Sequence, residues 1–239
     1  MKNRAMASHW LSGIVGCLMM LSALNVAAEN VTENEDPFMP AAPGVTQAYS
    51  NYTLFFTLKG PEGWASLTQR EDEHGKPHYP LPPGVRCVFR KSYHSPPMAT
   101  SFSSTLTLTL GSSEGKTALE QLRAAEADAE LDMIVASAKE VTLGQKRWAT
   151  IEVKQNWEES GTKLLGKRKV YLLIHEGAEL LIEGESPADE YAEDVPLFDH
   201  AITTMQWYKN KDEFMTGLVE DASKYLLQRQ QETIGKRSN

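Results

Sequence analysis

Residues 147–185, RWATIEVKQNWEESGTKLLGKRKVYLLIHEGAELLIEGE, hold three apolar-rich runs joined by EESGTKLLG and by Glu176-Gly177. Links this short close hairpins, because a parallel crossover takes roughly a dozen residues or more. In the first run Ala149, Ile151, Val153 and Trp157 share one parity, while Thr150, Glu152, Lys154 and Asn156 share the other. Period-two alternation gives a strand one buried and one wetter face. The segment therefore predicts an antiparallel meander, with KEVTL (140–143 at its core) as a strand leading into it.

Upstream, the period changes. Thr117 and Glu120 stand three apart, as a helical capping box requires. Ala118, Leu122, Ala125, Ala129, Met133 and Ala136 follow at three-or-four spacing, which predicts a helix over 117–138 with a flat, small-residue stripe suited to a sheet. Before it, SFSSTLTLTL, VRCVFRK, ASLTQ and YTLFFTL read as strands, the last closed by the turn KGPEGW. REDEHGKPHYPLPPG (70–84) reads as a long surface loop. After the meander, VPLFDHAITTMQW predicts a helix turning Phe198, Ile202 and Met205 inward. A last helix runs from 211 to about 231, with Asn210 and Glu213 at its start. Its apolar side carries Met215, Leu218, Val219, Ala222, Tyr225 and Leu226, expected to pack on the chain's own sheet, with docking on a partner as the alternative. Strands, helix, meander and helix in that order predict an α+β fold: a central antiparallel sheet flanked by helices, plus an extra C-terminal amphipathic helix.

The chain at this point resembles the DcrB-like and PsbP-like family. The residues that carry the likeness are the Pro61-Glu62-Gly63-Trp64 turn after the opening strand, the helix over 117–138, the three-strand meander over 147–185 and the helix before TMQW. It spans roughly residues 50–208; the loop 70–84 and the helix after Tyr208 depart from the pattern. The resemblance implies a PsbP-like α/β/α sandwich, a non-enzymatic exported module that assists larger assemblies, and no shared catalytic set.

The chain opens with Lys2 and Arg4, an apolar run from Trp10 to Leu24, and small residues ending at Ala28, the order of a secretory leader. Two processing boxes compete: Ile14-Val15-Gly16-Cys17, for lipidation of Cys17, and Val26-Ala27-Ala28. Cutting after Ala28 leaves an apolar run of about 7–15 residues and is the expectation, with anchoring through Cys17 the alternative. The division is then a signal peptide (1–28), an acidic Pro-containing linker (29–50), the α+β domain (51–208) and a C-terminal helical extension (209–239). The destination is periplasmic or secreted, with no stable membrane span after leader removal. The net charge of −8 deepens to −10 when Lys2 and Arg4 leave with the leader. Such a surface repels nucleic acid and anionic lipid and favours basic or other protein partners. Cys87 shares a strand parity with Val85 and Phe89, which predicts a buried structural thiol.

Few residues carry chemistry. GSSEGKT between a strand and a helix imitates a phosphate loop, but the position that needs glycine is Leu110. In the loop 70–84, His74 and His78 with Glu71, Asp72 and Glu73 are metal-ligating types; Gly75 and Pro77 oppose the helix that would align them, so a solvated loop is expected and a metal site is the alternative. Trp64 and Tyr79 are the candidate binding aromatics. Glu158-Glu159, Glu183 and Glu185 read as solvated charge. The expected function is that of an exported, non-catalytic accessory factor, without a cofactor, that binds an unknown protein of the envelope. The alternatives are a metal-dependent hydrolase using the loop 70–84 and a secreted inhibitor or immunity protein.

Overall fold

A computed structural model describes residues 46–68, 81–91, 103–113, 115–159 and 162–237. The strands are β1 (Ala48–Asn51), β2 (Phe56–Lys59), β3 (Ala65–Thr68), β4 (Val85–Arg90), β5 (Thr105–Ser112), β6 (Ile134–Leu143), β7 (Lys146–Glu159), β8 (Thr162–His175), β9 (Ala178–Pro187) and β10 (Gln206–Trp207). The helices are α1 (Ala118–Asp128), α2 (Tyr191–Thr203) and α3 (Lys211–Arg237). A seven-stranded sheet runs β3-β4-β5-β9-β8-β7-β6, and a smaller one runs β1-β2-β10, every pair antiparallel. The expected α+β architecture is the one present.

The meander forms because its turns suit hairpins. Glu176 and Gly177 both take left-handed φ, +52° and +77°, so the two-residue link matches the twist of β8 and β9. Parity then sorts the sheet. On one face Leu106, Leu108, Tyr171, Leu173, Leu180 and Ile182 meet Phe198, Ile202 and Met205 from the α2 side and Phe56 and Leu58 from the small sheet. On the other, Leu122 of α1 lies over Ala149, Ile151, Val170 and Leu172. Helix α1 thus covers the β6–β8 half of its face.

Phe198 is the keystone of the larger core. Its ring lies flat against Gly184 of β9, where an added Cβ would stand 2.4 Å from Cδ2, and meets Trp64 edge-on at 6.1 Å between centroids. Cys87 is fully buried, and desolvation raises its thiol far above the ordinary value, so it stays protonated.

Several boundaries differ from the sequence reading. The long middle helix ends at Asp128, and after a 3₁₀ turn at Leu131–Met133 the chain becomes β6, so Ala136 is on a strand. Ile134 and Val141 pair there with Val153 and Trp148 of β7; cross-strand packing of β-branched residues outweighs the helical spacing of the alanines. The meander accordingly has four strands. YTLFFTL is two pieces: Asn51 accepts hydrogen bonds from Thr53 N and Leu54 N, Phe55 takes φ +50°, and the chain folds back as the β1–β2 hairpin. The folded unit therefore begins inside the stretch 29–50 read as linker. Helix α2 starts at Tyr191, earlier than expected, and ends before Met205.

The capping box forms as read. Glu120 N donates to Thr117 Oγ1 at 3.2 Å, and Thr117 N donates to Glu120 Oε2 at 2.9 Å. Thr117→Ala is expected to lower stability by about 1 kcal/mol in a urea titration, with the slope unchanged.

Candidate functional site

The fold brings together three polar constellations, and burial separates them. The first fastens α2. Asp194, 1% exposed, accepts from Ser104 Oγ at 2.5 Å, from Lys91 Nζ at 3.0 Å and from Ser186 Oγ. Lysine, serine and carboxylate in contact are an acyl-transfer vocabulary. Both serines, however, are 0% exposed, so no substrate reaches them. Their hydrogen bonds, with that of Lys91, instead tie the first turn of α2 to the start of β5, the end of β9 and the end of β4.

The second lies within the sheet, on the face that α1 half covers. Arg168 of β8 is paired with Glu185 of β9 in the strand register, and its Nη1 and Nη2 reach Glu183 at 2.9 Å and Glu185 at 2.5 Å. All three are at most 5% exposed. Glu183 and Glu185 are therefore not the solvated charges the sequence suggested: same-parity positions on a central strand point both into the layer. Desolvation pushes the Glu183 carboxyl upward, Arg168 opposes the shift and Glu185 adds to it. This cluster is a structural ion triad.

The third constellation is open. Beyond α2, Thr204 donates its hydroxyl to the carbonyls of His200 and Ala201, ending the helix, and β10 adds Gln206 and Trp207 to the small sheet. Trp207 tilts against Phe56 at 5.1 Å, takes the edge of His175 at 4.7 Å and carries the Lys146 ammonium 4.6 Å over its ring. Tyr208 N donates to Phe55 O at 2.9 Å, continuing the ledge. Helix α3 then begins: Glu213 N donates to Asn210 Oδ1 at 2.9 Å, and Lys209 N donates to Glu213 Oε2 at 3.1 Å. Phe214, fully buried, plugs its first turn among Tyr52, Phe55 and Tyr208. Gly217 is needed at the crossing, since a Cβ there would lie 2.4 Å from the Tyr208 ring.

Between the end of α2, β10 and α3 lies a cleft of about 410 Å³ lined by Gln145, Thr203, Gln206, Trp207, Glu220 and Asp221 among others. The C-terminal carbonyls of α2 give its floor partial negative charge. Glu220 and Asp221 add full charges; Lys59 at 3.1 Å and Lys224, also on the cleft wall, at 3.9 Å offset that of Asp221 and leave Glu220 as the acid facing the opening. Burial raises the Tyr208 phenol, and the neighbouring carboxylates of Asp221 and Glu220 raise it further.

The sequence candidates fall elsewhere. Trp64 is 3% exposed and serves the core, since its turn folds the indole under α2 rather than presenting it as an anchor. His74, His78 and Tyr79, together with Cys17 and the Ala28 cleavage point, lie outside the described residues. Among the described residues, no group of three or more His, Cys, Asp or Glu converges as a metal site. No described helix is long and apolar enough to cross a membrane. The stripe of α3 does not pack on the chain's own sheet: Val219 is 62% and Leu226 61% exposed, because Phe214 and Gly217 dock a different side.

No family model matches the chain, and no curated protein does. Solved structures similar to it include PsbP (CyanoP) from Synechocystis sp. PCC 6803, at 13% identity over 70% of this chain and 95% of that one, TM-score 0.39. LpqN of Mycobacterium tuberculosis, described as involved in cell envelope biogenesis, is 12% identical over 75% of this chain and 95% of its own, TM-score 0.41. The Saccharomyces cerevisiae Ran-binding protein Mog1p is 16% identical over 66% and 89%, TM-score 0.39. Likenesses this distant carry no conclusion about this chain's function.

Proposed function

We propose that the chain is an exported, non-catalytic module of the cell envelope that seats a basic segment of a partner protein in the cleft between α2, β10 and α3, acting as an assembly or accessory factor. The observation that carries this reading is the chemistry of the cleft. It is the place where described acidic side chains, a helix C-terminus and an aromatic ledge converge on open space. Acids and carbonyl ends attract ammonium and guanidinium groups, and the Lys146 ammonium over Trp207 marks the ledge as a surface that takes a cation. A net charge of −8 steers a basic partner toward the molecule. The leader-like N-terminus supports export, and the sealing of Ser104 and Ser186 supports a role without acyl transfer.

A photo-crosslinking residue at Gln145, on the cleft wall, tests the reading in the parent cell's envelope. A discrete adduct is expected, and Glu220→Lys should weaken capture about tenfold, most at low salt. An adduct indifferent to Glu220→Lys would remove the cleft from the proposal. Turnover of an ester or peptide substrate by the purified protein would remove its non-catalytic part.

A further inference from the structure

Helix α3 has a second side that the cleft does not use. Gly217, Glu220, Asp221 and Lys224 line the cleft. Met215, Val219, Ala222 and Leu226 follow each other at spacings of four, three and four, all exposed, with Met215 at 42%, Val219 at 62% and Leu226 at 61%. At about 100° per residue the two sets fall on roughly opposite sides of the helix. Four-three-four spacing is the seam of a coiled coil, in which each apolar residue needs a facing helix to bury it.

The charge along α3 selects the occupant. With Glu220, Asp221 and Lys224 turned to the cleft, its first part, 211–219, holds Lys211 against Asp212 and Glu213, net −1; the remainder, 222–237, holds Arg229, Lys236 and Arg237 against Glu232, net +2. A helix with one acidic and one basic half is complementary to itself run in the opposite direction, whereas a parallel copy would set like charges together. We infer that two copies of this chain pair through antiparallel α3 helices. A two-fold axis between Val219 and Ala222 sets Met215 opposite the partner's Leu226 and Val219 opposite the partner's Ala222. The same register sets Asp212 opposite the partner's Arg229. Every contact is reciprocal, as a two-fold interface demands, and both clefts stay open.

Sedimentation of the full-length, leader-free protein tests this. A monomer–dimer equilibrium in the micromolar range is expected, loosened by salt. Val219→Lys with Leu226→Lys should raise the dissociation constant at least about tenfold while the melting temperature is kept, since both positions are exposed. Asp212→Arg should weaken pairing, and Asp212→Arg with Arg229→Asp should restore it. A wild-type chain that stays monomeric at several hundred micromolar, on the scale of roughly 1 mM weak association, would overturn the inference. So would a dimer that the lysine pair leaves intact. Capture at the cleft is read separately by Glu220→Lys, so the two proposals fail independently.

Discussion

Replacing Arg168 by methionine is expected to cost the fold about 3–5 kcal/mol at neutral pH, and distinctly less in acid. The guanidinium holds Glu183 at 2.9 Å and Glu185 at 2.5 Å in a layer where none of the three is more than 5% exposed. Methionine fills similar volume but leaves two buried carboxylates facing each other with their shared counter-charge gone. The pH dependence follows from the Glu183 carboxyl, which burial already raises and which Arg168 alone draws down among its neighbours in the triad. A carboxyl raised by folding takes up a proton on folding. Its stabilising contribution is whole below the unfolded value and is lost as pH rises through the folded one. Without Arg168 the folded value climbs further, so the penalty widens toward neutral pH and relaxes in acid. Urea unfolding at about pH 7 and about pH 4.5 reads the difference directly. Equal losses at the two values would show that the carboxylates are not the cause. Arg168→Met with Glu183→Leu and Glu185→Leu should recover most of the loss, because an apolar triad has no charge to strand.

Phe198→Ala should cost a comparable amount, about 3–5 kcal/mol, for a reason that has nothing to do with charge. The ring is fully buried between Gly184 and Trp64, and the strands around it cannot close the gap because their spacing is fixed by the ladder. Gly184→Ala alone should also destabilise, since its Cβ would enter the ring at 2.4 Å. The two changes must then be strongly non-additive: with the ring removed, alanine at 184 has room and fills part of the void. A double-mutant cycle in urea should give a favourable coupling of at least about 1 kcal/mol. Simple additivity would mean that the ring and the glycine do not meet as described.

The parts of the fold written in local chemistry were readable from the chain. Thr117 with Glu120 announces a helix start, Glu176-Gly177 a hairpin, and the spacing of Phe198 and Ile202 the inward side of α2. Where distant pairing decides, the local sequence is silent. Nothing within 117–138 says that Ile134 will meet Val153 on another strand, and the alanine spacing is blind to it. The Arg168 triad needs the β8–β9 register, because only pairing of Arg168 with Glu185 makes a buried site of charges that look solvated in isolation. The cleft was least legible. Its walls come from 203–208 and 217–224, and their angle is set by one side chain, Phe214, seated among three rings. What covers the stripe of α3 is illegible for the same reason, since amphipathicity gives a side its character but not its neighbour.

The rim of the large sheet has a further consequence. Along β6, pairing with β7 slips between Ile134 and Ala136 and again between Ala136 and Lys139, while the opposite rim is β3, described over Ala65–Thr68. Fibril growth needs a straight, uninterrupted row of donors and acceptors onto which a new strand can zip. One rim is kinked twice and carries exposed Lys139 and Glu140; the other is described over Ala65–Thr68. Among the described residues, the rims of the large sheet therefore give a neighbouring copy no long straight row on which to add a strand.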